Sequence, residues 1–330
     1  MEISRRSLIV GAAGIIPLLT YSPAYALYPF CRKLRLGNFG PPEMEDWGTE
    51  LQNSVRKRIQ WKDGLSIDPG RTYGKTREAL NLVSGNAIDL ATLYGGIDVK
   101  RWPDLAVLDD PRTQQIFTRN PKRAATLLDL IGEAPAKQGI ILLGATHSRR
   151  EILLASNKKI KSIKDFRGLK IRVADQRERI LAEALGASAA SMAFSEVYDA
   201  LRVGAVDATV ISLIAARRLR FRAETIVVFD AAQLMPRGYI MAMNRKVLDS
   251  GDERARQAFF EAGQESSAKY TAIENSKNNS SLEILQKEGT QLVSLPSDQF
   301  ARAREIVLKR TEDLYRNIGV SQRVLEIIQG

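Results

Sequence analysis

The sequence predicts an α/β protein built as two lobes, and three observations carry that expectation. Stretches with strand character alternate with helical stretches through the first two thirds of the chain, the pattern of mostly parallel sheets. A short unit occurs twice. One copy is Glu78-Ala79-Leu80-Asn81-Leu82-Val83-Ser84-Gly85 before Ala87-Ile88-Asp89-Leu90-Ala91; the other is Asp199-Ala200-Leu201-Arg202-Val203-Gly204 before Ala205-Val206-Asp207-Ala208-Thr209. Each reads as a helix, a glycine in the left-handed position that ends it, and a buried strand opened by an aspartate. Two copies in separate halves of the chain suggest two lobes on one plan with a cleft between them; chance likeness between α/β units is the competing explanation. Residues 252–288, finally, read as almost uninterrupted helix.

The chain opens with an expected export signal over residues 1–26. Arg5 and Arg6 precede an apolar run from Leu8 to Leu19, and Ala24-Tyr25-Ala26 has the A-x-A form of a cleavage site. A run of about a dozen residues falls short of the roughly 20 that a spanning helix needs. Ser4-Arg5-Arg6-Ser7 also resembles a twin-arginine signal, although paired arginines occur in ordinary secretory signals too. Cys31 lacks a lipid-attachment context and reads as a small thiol near the first strand. That strand alternates polar and apolar residues over 33–39 and ends at Gly40-Pro41-Pro42. A helix is expected over 43–59, a short strand over 64–68 stopped by Pro69-Gly70, and a helix over 73–84. Further strands are expected at 139–143, 151–155, 169–173, 225–229 and 238–242, with helices at 176–185 and 195–203. After the long helix, a break at Leu295-Pro296 precedes a last helix capped by Ser297 and running to about Asn317.

Composition narrows the chemistry. A length of 330 residues suits two domains of ~150 each. The single cysteine excludes an intramolecular disulfide and any multi-cysteine zinc site, and the single histidine, His147, excludes H-E-x-x-H and multi-histidine metal sites. No glycine-rich nucleotide loop and no G-x-S-x-G elbow is present. His147 could act as a general base, but a lone loop histidine is more often structural or solvated. Lys and Arg number 49 against 38 Asp and Glu, a net charge of +11 that invites a nucleic-acid reading. The basic residues are spread along the chain and carry no nucleic-acid-binding motif, so a solvated basic surface is the better account.

The most informative stretch is 159–212. It holds Phe166-Arg167-Gly168-Leu169-Lys170-Ile171-Arg172-Val173, then Leu185-Gly186-Ala187, then Phe194-Ser195-Glu196-Val197-Tyr198-Asp199-Ala200-Leu201, and closes with Gly204-Ala205-Val206-Asp207. These four pieces, in this order and spacing, resemble the solute-binding subunits of TRAP (tripartite ATP-independent periplasmic) transporters, the DctP-type family. The resemblance implies a bilobed periplasmic binding protein fold, two α/β lobes with a hinge and a long C-terminal helix. It places residues 27–149 with 238–276 in the first lobe, and 150–237 with 277–330 in the second. It also implies capture of an organic acid by lobe closure in the periplasm and delivery to the membrane subunits of the transporter, with no nucleic acid, metal or cofactor.

The same resemblance points to site residues. It puts Arg172 in the cleft against a ligand carboxylate, where the planar guanidinium fork matches two carboxylate oxygens. It lays Phe194 against the ligand, although a core aromatic is nearly as good a reading, and sets Asp175 where family members often contact ligand. Two departures matter. The family's "VDGQENP" stands here as Val206-Asp207-Ala208-Thr209-Val210-Ile211-Ser212, putting Thr209 and Ile211 where polar groups are usual. A second arginine, common in the family, falls near Glu151, so Arg150 reaches the cleft or the second cation is missing. Both departures suggest a ligand less polar than a small dicarboxylate. A ligand-presenting sensory protein fits the same residues, as does an exported enzyme using His147 or Asp175.

Overall fold

A computed structural model of the chain describes residues 32–148, 151–155, 158–193, 196–218, 225–228, 234, 236–294 and 297–330. The expected export signal, Cys31, Arg150 and Phe194 lie outside the described residues. In chain order the strands are β1 (Leu34–Asn38), β2 (Leu65–Pro69), β3 (Leu90–Tyr94), β4 (Ile140–Ser148), β5 (Glu151–Ala155), β6 (Lys170–Val173), β7 (Ser188–Ser191), β8 (Ala208–Ser212), β9 (Thr225–Val228), β10 (Arg237–Asn244) and β11 (Gln291–Ser294). The helices are α1 (Glu45–Arg56), α2 (Ala79–Ser84), α3 (Pro111–Arg119), α4 (Pro121–Ala136), α5 (Gln176–Ala184), α6 (Val197–Arg202), α7 (Leu213–Arg218), α8 (Arg245–Asp249), α9 (Glu253–Lys287), α10 (Ala301–Ile318) and α11 (Gln322–Gln329).

The strands form two sheets, in the order β2-β1-β3-β10-β4 and β11-β9-β5-β8-β6-β7. Each contains a parallel trio, β2-β1-β3 and β7-β6-β8. In each, the strand beside the trio is antiparallel and arrives from the other sheet. β5 follows β4 and pairs with β8; β10 follows β9 and pairs with β3. The chain therefore crosses between the two lobes along two strand connections.

The repeated unit has a common physical basis in both sheets. Asp89 accepts the Arg35 amide at 2.7 Å and donates its own amide to the Arg35 carbonyl at 3.0 Å. Asp207 makes the same pair of bonds with Lys170, both at 2.8 Å. Each aspartate thus ties the start of one strand to the start of its parallel neighbour. The expected left-handed glycine holds at Gly204, with φ of 71°, but not at Gly85. There Asn86 takes the left-handed turn at φ of 59°, since asparagine tolerates that region better than other residues with a Cβ.

The long helix α9 joins the lobes. Over its first half Phe259, Ala262 and Tyr270 pack with Trp47 of α1 and Leu143 of β4, and Tyr270 stacks on Trp47 at 5.7 Å. Near its end Leu285 packs with Ile211 and Leu213 of the second lobe. At 35 residues it spans about 52 Å. It lies so close to β4 that a Cβ on Gly263 would sit 2.3 Å from the Leu143 carbonyl oxygen.

Several elements differ from the sequence expectations. Ser297 opens a short 3-10 turn, Ser297–Phe300, and α10 begins only at Ala301, so Ser297 is not its cap. β7 and β11 carry little strand signal and were not expected. α11, grouped with the second lobe on sequence, packs its Val324, Leu325 and Ile328 into the first-lobe core beside Leu127 and Ile131 of α4. The reason is its amphipathic stripe, which the neighbouring first-lobe helices bury.

The close approach of α9 gives a sign test. Gly263→Ala should lower stability by about 1–3 kcal/mol in urea unfolding, because the new methyl meets rigid backbone. Gly132→Ala in α4 meets only Leu142 at 3.7 Å or beyond and should instead gain up to about 1 kcal/mol from helix propensity.

Candidate functional site

The alternation of β6 sets the site. Ile171 and Val173 enter the second-lobe core with Phe166, Ile180 and Leu181. Arg172 takes the opposite face. Ala190 on β7 and Thr209 on β8 are its register partners, so these three side chains share a face. Arg172 is only 5% exposed and donates from Nε and Nη2 to the Met192 carbonyl, at 3.3 and 3.1 Å. Burial lowers its pKa; Arg237 adds to that, while Glu178, Asp175 and Tyr94 oppose it. An arginine stays cationic through such a shift.

The groups acting on Arg172 come from both lobes. Asp175 caps α5, accepting the Arg177 and Glu178 amides at 3.0 Å each. It also takes Nη1 of Arg237, the first residue of β10, at 2.5 Å, and Glu178 takes the Nη2 of the same arginine. The Arg237 guanidinium lies over the Tyr94 ring at 5.6 Å, and Tyr94 packs on Tyr239 at 5.3 Å. Arg177 reaches the first lobe in the other direction. It pairs with the Asp109 carboxylate at 2.5 Å and donates to the Asp109 carbonyl at 2.9 Å. Asp109 accepts the Gly238 amide as well. The first turn of α5 is thus bound ionically to Asp109 and to the first residue of β10. Burial works to raise the Asp175 pKa, but Arg237 and the α5 amides outweigh it and hold the carboxyl below its usual value.

The sequence-derived candidates sort as follows. Arg172 and Thr209 are neighbours on one sheet face. Asp175 joins the Arg172 surroundings, where its oxygens are engaged by the α5 amides and two arginines. Thr209 is buried, its hydroxyl on the Val210 carbonyl at 3.3 Å. Ile211 packs among Val197, Leu201, Leu213 and Leu285, an apolar cluster beneath α6, α7 and α9. Phe194 and Arg150 cannot be placed among the described residues. His147 lies on β4 in the first lobe, opposite Gly238 of β10. Sequence reasoning missed Arg237, Arg177, Asp109 and Tyr94, because nothing local in Pro236-Arg237-Gly238 marks that arginine as a neighbour of Arg172. A second gap between the lobes, of about 440 Å³, is lined by Glu43, Asp46, Arg217, Arg218 and Lys277.

Two sheets on one plan, two strand crossings, and a buried arginine of one lobe set among groups of the other define a two-lobed ligand-binding protein. The chain belongs to the DctP family of bacterial extracellular solute-binding proteins (family 7), which matches residues 48–317. It is 30% identical over 162 residues to the uncharacterized protein YiiZ of Salmonella typhimurium, covering 46% of this chain and 48% of that one. It is 49% identical over 53 residues to the sialic acid-binding periplasmic protein SiaP of Vibrio cholerae, covering 16% of each. The chain thus matches about half the length of the first relative and less of the second. The fold matches a TRAP periplasmic solute-binding protein of Desulfovibrio salexigens with bound orotic acid, at a TM-score of 0.75 and 20% identity over 90% of this chain and 96% of that one. No helix among the described residues is long and apolar enough to cross a membrane.

The ionic bridge predicts a pH signature. Arg237→Met should cost about 3 kcal/mol at pH 7, because two carboxylates lose their shared cation. A depressed carboxyl pKa contributes stability above the unfolded value near 4, and the contribution is lost as pH falls through the folded value. The stability gap between the parent protein and Arg237→Met should therefore shrink in urea titrations below pH about 4.

Proposed function

We propose that the protein captures an organic acid between its lobes and delivers it to the membrane subunits of a TRAP transporter in the periplasm. The single observation that carries this reading is Arg172, a buried arginine on β6 set among Tyr94 and Arg237 of the other sheet. A guanidinium in that position offers a carboxylate two parallel hydrogen bonds with little competition from water. Membership of the solute-binding family supports the reading, as do a relative named for sialic acid binding and a fold neighbour holding orotic acid.

In this proposal residues 27–149 with 238–276 and residues 150–237 with 277–330 are the two lobes, α11 docking back onto the first. Arg172 is the carboxylate anchor and Thr209 its neighbour in the cleft wall. Phe194 and Arg150 are further candidates for contact with the ligand. Asp175 acts through Arg237, holding that second cation in place. Ile211 shapes the wall from its apolar cluster. Residues 1–26 direct export, by the twin-arginine route. The ligand favours the closed arrangement and shifts the lobe equilibrium toward it.

A thermal-shift screen of organic acids tests the proposal. The right acid, at about 100 times its dissociation constant, should stabilise the protein by about 2.7 kcal/mol. Stabilisation by uncharged compounds alone would sink the carboxylate reading. Arg172→Lys should weaken that acid by roughly tenfold or more in calorimetry, since a point charge replaces the fork. Unchanged affinity would remove Arg172 from the site.

A further inference from the structure

The first lobe encloses a second cavity, of about 350 Å³, between α3, α4, β4 and α9. β4 is the outermost strand of its sheet, so this space lies beyond the sheet edge, and none of the residues around Arg172 lines it. Its size falls within the range of small-molecule pockets. Phe117, Ala124 and Leu128 give it apolar walls, and Thr146 and His147 of β4 supply polar ones. No Asp, Glu, Lys or Arg is among its lining residues.

His147 is the decisive group. It is 4% exposed, with its ring 5.2 Å from that of Phe117. Burial pushes its pKa down to about 4, against the effect of its hydrogen bond to the Leu108 carbonyl, so the ring is neutral at pH 7. Its Nε2 is buried and has no hydrogen-bond partner among the described residues. In a neutral imidazole one nitrogen donates and the other accepts. The Leu108 carbonyl takes the donor, which leaves Nε2 a bare acceptor on a side chain that borders the cavity. Such a buried, unmet acceptor is costly. Two hydroxyls of the lining residues are engaged elsewhere. The Thr146 hydroxyl is engaged by Thr271 at 2.6 Å, and the Ser267 hydroxyl donates to the Gly263 carbonyl at 2.6 Å.

We propose that this cavity binds a small neutral molecule, largely apolar, whose single O–H or N–H donates to His147 Nε2. Phenols, alcohols and primary amides have the required chemistry. Carboxylates do not. An anion there would lose its hydration with no cation in the lining to replace it, and would meet the lone pair of Nε2 head-on. The two sites therefore sort ligands by charge, an acid at Arg172 and a neutral donor at His147. This second site does not depend on the identity of the first ligand.

The chain has one histidine, so ¹⁵N-histidine labelling of the whole protein gives a single reporter. Phenol titrated into it should move the Nε2 resonance saturably in the direction of a received hydrogen bond. Toluene, which lacks the donor, should bind about tenfold more weakly, and benzoate should leave the resonance unmoved. His147→Phe should reduce phenol affinity by about the same factor, and Ala124→Leu, which fills the cavity without touching the ring, should abolish the shift in His147. An Nε2 resonance unmoved by phenol, or moved equally by phenol and benzoate, would overturn the proposal. Should either variant fail to fold, the comparison of the three probes on the parent protein still decides.

Discussion

Two guanidinium groups and three carboxylates hold the first turn of α5 against the first lobe. Arg177 meets Asp109, and Arg237 meets Asp175 and Glu178. The geometry of the site follows from this bridge. It fixes where α5 begins, and therefore where β6 ends and Arg172 sits. It also places Arg237 and Tyr94 of the first sheet among the groups that act on Arg172. Buried ion pairs add little net stability compared with apolar packing, but losing one partner is costly. Such a bridge specifies one arrangement of two lobes more than it strengthens either of them.

Within each lobe the frame is set by a smaller device used twice. Asp89 and Asp207 bond the amide of the neighbouring strand and tie each parallel trio at the same point. The antiparallel fourth strand of each sheet follows a strand of the other sheet in the chain. α9 braces both lobes from the side, and its glycine contact with β4 allows that helix to lie directly on the sheet. Charge pairs near the crossings and dry packing away from them divide the work.

Much of the fold was legible along the chain. The pattern of β6, with Ile171 and Val173 flanking Arg172, shows in the residues themselves, and so does the Asp-opened strand in both lobes. Of the expected site, Arg172, Thr209 and Asp175 fall close together. Asp175 is more fully engaged than its position after the strand suggested, because one carboxylate serves both the helix cap and the bridge. Ile211 shares a strand with Thr209 but packs under α6, α7 and α9. Period-two alternation says which face a side chain takes, not what covers that face. His147, read from the sequence as a loop residue, lies buried on an edge strand, since β4 extends five residues past its expected end.

By itself the sequence determined the α/β class, the two-lobed plan, the long helix and the arginine on β6. These rest on local periodicity, capping chemistry and short motifs, all written in consecutive residues. Only the tertiary structure decided which cations stand near Arg172, that α11 packs on the first lobe, and that His147 faces a cavity. Arg237 and Asp175 are separated by 62 residues, and Arg177 and Asp109 by 68. No local pattern encodes such pairs. They form because two strand crossings bring the start of β10 and the turn before α3 to the first turn of α5, where buried charges must find partners.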